Sequence, residues 1–532
     1  MRRIYISVAA LILVVSVAAQ KSQPDNWYLL DPKADKVYGA GVEEAYVTLE
    51  KRTSKKVIVA VIDSGVEVDH EDLKDVIWIN EDEIPGNGID DDKNGYIDDI
   101  NGWSFIGGET EDINYEATEL ARIYQKLSKK YKGVTEAEAA DKEEFKYWEQ
   151  IQQEFIQDMT ETEQQFQTMA LLTDYIKRVE EKTGESISIK SNKAFEPENE
   201  LDKILKGIMH GQVLSKKDNS GLLKELEHGA EAYGGMLHYN MLDSDSLRRA
   251  VVGDNPTDFT EKYYGCNRVE GPDAMHGTHV SGIIAGNRTN SLGIIGEANN
   301  VEIMAIRAVP NGDERDKDIA NAIIYAVDNG ASVINMSFGK YYTPNKGVVD
   351  AAVKYAAAKD VLLVHAAGND AKNKDLEDSY PTRELDNGEI ASNWIEVGAS
   401  GYKKGKGIVA NFSNYGKTRV DLFAPGVDIH STVPDGKYED ASGTSMACPS
   451  VAGVAAIVRG YFPELTAAEV KEVLMKTVVP YKGKVYRPGG EMVEGKKGPK
   501  YKEVKVSMAD LSISGGFVNV NNAVTYLLEN GK

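Results

Sequence analysis

The sequence predicts an α/β protein: a doubly wound, mostly parallel sheet with helices on both faces, carrying an inserted, mainly helical subdomain. Two observations lead there. Short unbroken apolar runs alternate with stretches of helical length, the rhythm of strand–helix–strand units. Over residues 109–260 that rhythm gives way to a block rich in Glu, Lys, Gln and Ala with almost no proline. The sheet domain is therefore discontinuous, 20–108 with 261–532, and the block between is the insertion.

The elements follow in chain order. A polar lead-in contains Trp27–Leu30 and a helix expected over Val42–Leu49. Val57–Ile62 is a continuous, mostly β-branched run ending at Asp63, which suits a strand buried on both faces. Similar runs recur at Val301–Val309, Ala331–Met336, Val361–Ala366 and Trp394–Ala399. Helical stretches lie among them at His276–Gly286, Asp318–Asn329 and Gly347–Lys359. Ligands of such sheets bind at the carboxyl ends of the strands, which is where Asp63, Ser337 and Asn369 fall. Inside the insertion, Thr135–Glu138 fits a capping box. Trp148, Ile151, Phe155, Met159, Phe166, Met169, Leu172 and Ile176 recur at three- and four-residue steps, the stripe of an amphipathic helix. Further helix is expected over Glu198–Lys217 and Leu222–Leu237. The insertion thus reads as a helical hairpin or small bundle whose stripe packs internally or meets a partner.

At 532 residues the chain has room for a large core, and 42% hydrophobic with 27% charged residues is ordinary for a soluble globular protein. A formal net charge of -23 argues against nucleic acid or an anionic membrane as partner. Arg2 and Arg3, the apolar stretch Ile4–Val17 and the small residues up to Ala19 read as an export signal over 1–19. That signal places the mature protein in the periplasm or outside the cell. No later stretch is long and apolar enough to cross a bilayer, so no stable membrane insertion of the mature chain is expected. Two cysteines, Cys266 and Cys448, are too few for a disulfide framework and are expected to be buried free thiols.

Three segments carry chemistry when taken together. Val61–Val66 ends a buried strand in Asp63, His276–Gly282 opens a helix, and Gly443–Pro449 puts Ser445 at the start of another. Singly, each residue type serves as readily as a cap or a core hydrogen-bonder. A serine hydroxyl needs a nearby imidazole to take its proton, and that imidazole needs a buried carboxylate to fix its tautomer. The order Asp, His, Ser and the three motifs resemble the subtilisin-like serine peptidases, the subtilases. The resemblance covers about 37–107 and 262–480 together with Gly515–Leu528, and it leaves out the insertion.

What the resemblance implies is a secreted serine endopeptidase, with Asp63 as orienter, His276 as base and Ser445 as nucleophile. Of the two histidines in His276–His279 it selects the first and leaves His279 as a packing residue. Val364–Asn369 resembles the strand that ends in the oxyanion-hole asparagine, here Asn369. Val333–Gly339 resembles the strand that pairs with extended substrate, so Ser337, Phe338 and Gly339 are expected to bind peptide backbone. Ala366, Ala367 and Gly368 are expected to line the primary specificity pocket. A long connection between the Asp and His motifs is tolerated because loop-closure cost grows only logarithmically with length.

Asn87–Asp99 sets oxygen donors at alternate positions around a glycine. Asp90, Asp92, Asn94 and the Tyr96 carbonyl stand like positions 1, 3, 5 and 7 of a calcium loop, with Asp99 or Asp98 to complete the shell. Structural calcium is the expected metal, since hard oxygen donors disfavour zinc and copper. The acidic loop Asp313–Asp318 is either solvated or borders the substrate cleft, where its acids would favour basic substrate residues. The lead-in before the first strand is too short for the inhibitory prodomain that many secreted subtilases carry, which makes the insertion a candidate regulator or folding aid. The expected partners are peptide or protein substrates, and oligomeric state is left open. Two alternatives stand beside the general endopeptidase: a narrow-specificity processing protease with the insertion as a lid, and a non-enzymatic binding scaffold that keeps the fold. The intact constellation disfavours the scaffold.

Overall fold

The apolar runs become strands. The computed structural model describes residues 23–214, 219, 221–402, 404–495 and 498–532, so the predicted export signal and Ser215–Lys217 lie outside the described residues. Seven strands carry the sheet: β1 Val57–Asp63, β2 Gly102–Ser104, β3 Val301–Arg307, β4 Val333–Met336, β5 Leu362–Ala366, β6 Trp394–Ser400 and β7 Leu422–Pro425. They pair in parallel in the order β7-β6-β5-β4-β1-β3-β2. Gly516–Phe517 continues the sheet in parallel beyond β7, and Val479–Pro480 closes that edge antiparallel.

Successive side chains of a strand point to opposite faces, and here both faces are covered. Val57, Val59 and Val61 of β1 enter one core, shared with the helices Met275–Ala285 and Thr444–Tyr461. Ala60 and Ile62 enter the other, shared with the helices Asp316–Asp328 and Lys346–Ala358. This double burial is why the strands are uniformly apolar rather than alternating. β3 stops at Arg307, short of the expected Val309, because the amides of Ala308 and Val309 both turn onto the Asp63 carbonyl. β2 has three residues, too few to show a pattern. Its Gly102 has φ +129 and an ideal Cβ would meet the Ala305 carbonyl at 1.8 Å, so only glycine fits.

β1 lies between β3 and β4. The chain therefore leaves β1 toward one side and returns to the other, and the carboxyl ends at this reversal form a crevice. Asp63 ends β1, Ser337 follows β4 and Asn369 lies three residues past β5.

The described chain divides into two compact units, Tyr115–Ser244 and the sheet unit of Asp25–Asn114 with Asp245–Lys532. Within the sheet unit, Asp245–Glu261 is tied down by buried ion pairs. Arg248, fully buried, grips Asp318 with both guanidinium nitrogens at 2.7 and 2.6 Å, while its Nε meets Asp254 at 2.8 Å. Lys317 bridges Asp254 and Glu261 at 2.8 and 2.7 Å.

The other unit is built on a 42-residue helix, Lys142–Thr183, opened by Asp141, whose carboxylate accepts from Glu143 N and Glu144 N. Its predicted stripe faces inward: Trp148, Ile151, Phe155, Met169, Leu172 and Ile176 are buried. The helices Glu119–Tyr131 and Leu222–Tyr239 pack along it, and Tyr124 stacks on Phe155 at 4.0 Å between ring centres. Of the predicted capping box only one half forms, the Glu138 carboxylate accepting from Thr135 N and Oγ1, while Glu138 N donates to the Thr135 carbonyl and closes a single turn. The helix starts only at Lys142. The helix expected over Glu198–Lys217 is Glu200–Ile208, continued by one wider turn at Met209–Val213.

Candidate active site

Asp63 closes β1 and is 2% exposed. Its Oδ1 accepts from the Ser64 amide at 2.8 Å and stands 2.7 Å from His276 Nδ1. His276 lies in the first turn of Met275–Ala285, and that helix can approach because residue 277 is glycine. A Cβ there would meet the Gly65 carbonyl at 2.1 Å and Asp63 Cβ at 3.1 Å. A carboxylate only accepts, so the imidazole proton sits on Nδ1 and the Nε2 lone pair is left for a second partner. Burial pulls the imidazole down, but the Asp63 carboxylate outweighs it and holds the ring above its ordinary value. His279, one turn on, is fully buried, with Nε2 3.1 Å from the Ile429 carbonyl and 3.2 Å from that of Glu439.

Ser445 is the second residue of the helix Thr444–Tyr461, where backbone amides have no intrahelical acceptor. Its hydroxyl donates to the Ser337 carbonyl at 3.2 Å, and the Ser337 hydroxyl donates back to the Ser445 carbonyl at 3.0 Å. That carbonyl is free because its helical partner four residues on is Pro449, which has no N–H. Asn335 Nδ2 in turn donates to the Ser337 hydroxyl at 3.0 Å.

Asn369 uses its side-chain oxygen to accept from Thr444 N and Thr444 Oγ1, at 2.8 and 3.0 Å. This fixes its Nδ2 on the other side. A methyl built on Gly443 would stand 3.5 Å from Asn369 Nδ2 and 3.5 Å from Ser445 N, so the two donors converge on one spot. The sequence singled out Asn369 but missed Thr444, which orients it; a threonine before the serine is the only local signal for that role.

Ser337, Phe338, Gly339, Ala366, Ala367 and Gly368 surround one cavity of about 290 Å³, which Asn369, Thr444 and Ser445 also line. Asp63 pairs with His276, Ser445 and Asn369 line this cavity, and the four come from separate stretches of chain, Asp63 at the carboxyl end of β1 and Asn369 just past β5; the Ser445 hydroxyl turns to the Ser337 carbonyl. Residues 54–501 match the Subtilase family.

The chain belongs to the subtilase family. It is similar to the thermophilic serine proteinase of Bacillus sp. (strain AK1), 46% identical over 186 residues, 34% of this chain and 42% of that protein. It is also similar to subtilisin Savinase of Lederbergia lenta, 35% identical over 204 residues, 38% of this chain and 69% of that protein. The chain spans about half the length of most of the curated relatives it matches. Among solved structures, a mutant of the protease domain of PatA is 27% identical, with a TM-score of 0.37 over 49% of this chain and 82% of that one.

In this subtilase the acidic loop Asp313–Asp318 is mostly buried rather than solvated. Glu314 to Asp318 are all buried, with Asp316 on Lys340 at 2.8 Å, Asp318 on Arg248, and Lys317 on Asp254 and Glu261. Asp316 and Asp318, buried and paired, present no free charge to a substrate. Cys266 and Cys448 are both free and buried, and burial pushes both thiols up.

The predicted calcium loop brings Asp90 and Asp92 together, and Glu83 joins them: one carboxylate oxygen of each lies within 4.8 Å of the others. Glu83 stands outside the motif, so spacing gave no hint of it. Its two oxygens accept from Asp91 N, Asp92 N and Asp98 N, which holds the loop closed. Asp99 is fully buried, and its oxygens accept from Asn80, Asn94 and Tyr325. The Asn94 amide oxygen accepts from Tyr96 N, while the Tyr96 ring packs on Trp103 and Tyr325. An all-oxygen, carboxylate-rich set suits a hard divalent cation. Among the described residues no helix is long and apolar enough to cross a membrane.

Proposed function

We propose that the chain is an exported serine endopeptidase that hydrolyses peptide bonds through an acyl-enzyme on Ser445. The observation that carries this is the 2.7 Å contact between His276 and a buried Asp63, at the carboxyl end of β1 beside the cavity where Asn369 Nδ2 and Ser445 N stand together. To react, the Ser445 hydroxyl turns from the Ser337 carbonyl to His276 Nε2, which takes its proton as Oγ bonds to the scissile carbonyl carbon. Asn369 Nδ2 and Ser445 N donate to the resulting oxyanion. The protonated imidazole, stabilised by Asp63, then delivers its proton to the departing amine. Water repeats the sequence on the acyl-enzyme, and Ser445 recovers its hydrogen.

Ser337, Phe338 and Gly339 hold extended substrate by backbone pairing, and Ala366, Ala367 and Gly368 wall the pocket for the side chain before the scissile bond. Asp90 and Asp92, with Glu83, hold a structural calcium, helped by Asn94, the Tyr96 carbonyl and Asp99. When bound, the ion supplies charge balance to the loop and takes no part in the bond-breaking steps. Labelling with a fluorophosphonate probe tests the reading: the folded protein should label and Ser445→Ala should not. Folded, calcium-loaded protein that fails to label would instead favour a binding scaffold.

A further inference from the structure

The cavity beside Ser445 has a polar floor that the reaction does not use. His365, on β5, is 1% exposed and lines that cavity. Its Nδ1 faces both oxygens of Glu396, at 3.2 and 3.1 Å. Glu396 is itself buried, accepts from Trp394 Nε1 at 2.8 Å and takes Lys374 Nζ at 2.5 Å. Burial would raise this carboxyl, but Lys374 and His365 outweigh it and hold it at about 2. An ionised Glu396 can only accept, so the His365 proton sits on Nδ1. With its ring proton on Nδ1, the imidazole presents the Nε2 lone pair.

That Nε2 is buried and has no hydrogen-bond partner. Its edge faces Gly339, where a methyl would lie 3.7 Å from it. A buried polar atom without a partner costs about 1–3 kcal/mol, and a site that keeps one is built for a ligand group that will satisfy it. A second polar atom stands on the same floor. Ser379 lines the cavity and its Oγ accepts from Lys374 Nζ at 2.7 Å, so its own hydrogen points elsewhere. The chain His365–Glu396–Lys374–Ser379 thus enters the cavity at both ends, as an acceptor at Nε2 and as a hydroxyl donor at Oγ.

We infer that this cavity selects a substrate residue whose side chain ends in a carboxamide, with glutamine as the best fit, through His365 Nε2 and Ser379 Oγ. The amide NH2 donates to His365 Nε2 while its carbonyl accepts from the Ser379 hydroxyl. Glu396 and Lys374 are positioning residues that fix which atom donates and which accepts. An aliphatic side chain of the same length leaves both floor atoms unpaired, and sites built to hydrogen-bond a substrate group discriminate strongly against analogues that lack it. The inference rests on the hydrolase reading of Ser445.

The test uses the full chain in calcium buffer, with active sites counted by fluorophosphonate labelling. A peptide series varies one residue, the one before the scissile bond, as Gln, Met, Leu or Glu. The expected result is a kcat/KM for Gln about 30-fold or more above Met, its closest apolar analogue in length. In His365→Ala, and separately in Ser379→Ala, the Gln/Met ratio should fall at least about tenfold. Wild-type protein that labels but cuts Met, Leu or Glu as well as Gln overturns the inference and leaves the hydrolase reading intact. A ratio unchanged in both variants also overturns it. Folded protein that does not label refutes the hydrolase reading first.

Discussion

The two histidines of the His276–His279 motif differ in what acid does to them, and the difference is measurable. His279 is fully buried between the carbonyls of Ile429 and Glu439, and its Nδ1 has no partner. Burial, helped by the neighbouring His276 charge, pulls it from the ordinary 6.5 down to about 4. The unfolded chain therefore binds a proton in the interval where the folded one does not. His279 contributes stability that is complete above about pH 6.5 and drains away as pH falls toward 4. A separation of about 2.5 units, at 1.36 kcal/mol per unit, is worth about 3 kcal/mol across that window. The perturbation is His279→Gln, which never charges and keeps an N–H for the two carbonyls, made in a Ser445→Ala background that cannot digest itself. Urea unfolding at pH 7, 6, 5 and 4 reads the outcome. Protein with His279 should lose about 3 kcal/mol more between pH 7 and pH 4 than the glutamine variant. Parallel pH profiles, with a difference under about 1 kcal/mol, would refute the reasoning.

Four other outcomes are expected. Asn369→Ala should lower kcat about 10²–10³-fold with little change in KM, a magnitude carried over from subtilisin's own oxyanion asparagine. Because Asp63 holds His276 above its ordinary 6.5, the acid limb of kcat/KM should have its midpoint above pH 6.5, and it should move to lower pH in the residual activity of Asp63→Asn. Chelation should lower the melting temperature, since a cation at a hundred times its Kd stabilises by about 2.7 kcal/mol. In Glu83→Gln the gap between calcium and chelator should shrink, whereas a gap equal to wild type would remove Glu83 from the site. Arg248→Met leaves the buried Asp318 carboxylate without its cation and should cost about 3–5 kcal/mol in urea unfolding.

The sheet was legible because strands buried on both faces are plain apolar runs, and β1, β4, β5 and β6 fall within two residues of their expected bounds. β2 was not, since three residues show no period. The long helix was legible from its stripe, but its start lies elsewhere: Thr135 and Glu138 form only half of the expected capping box, and the residues after them offer no apolar stripe to bury. Asp141, with two amides to cap, begins the helix instead. Charge was the least legible property. Asp316 and Asp318 read as a solvated run because their partners Lys340 and Arg248 are distant in the chain. The same holds at the cavity floor, where Glu396 and Lys374 gain meaning only once β5 and β6 place His365 beside them.

A connection that carries so many inserted residues could be expected to loosen the pair it joins, yet Asp63 and His276 meet at 2.7 Å. The reason is that the connection is fixed to the sheet unit on both sides of the insertion. Before it, the Ile113 carbonyl accepts from Arg307, the last residue of β3, and the Gly108 carbonyl accepts from Arg268 at 2.7 Å. After it, Arg248 and Lys317 tie Asp254, Glu261 and Asp318 together beneath Tyr264, whose hydroxyl also bonds Asp318 at 2.7 Å. Both clamps lie inside the boundaries of the sheet unit, Asn114 and Asp245. The approach of His276 to Asp63 is thus held from within the sheet unit, in part by buried ion pairs, each costing several kcal/mol to open.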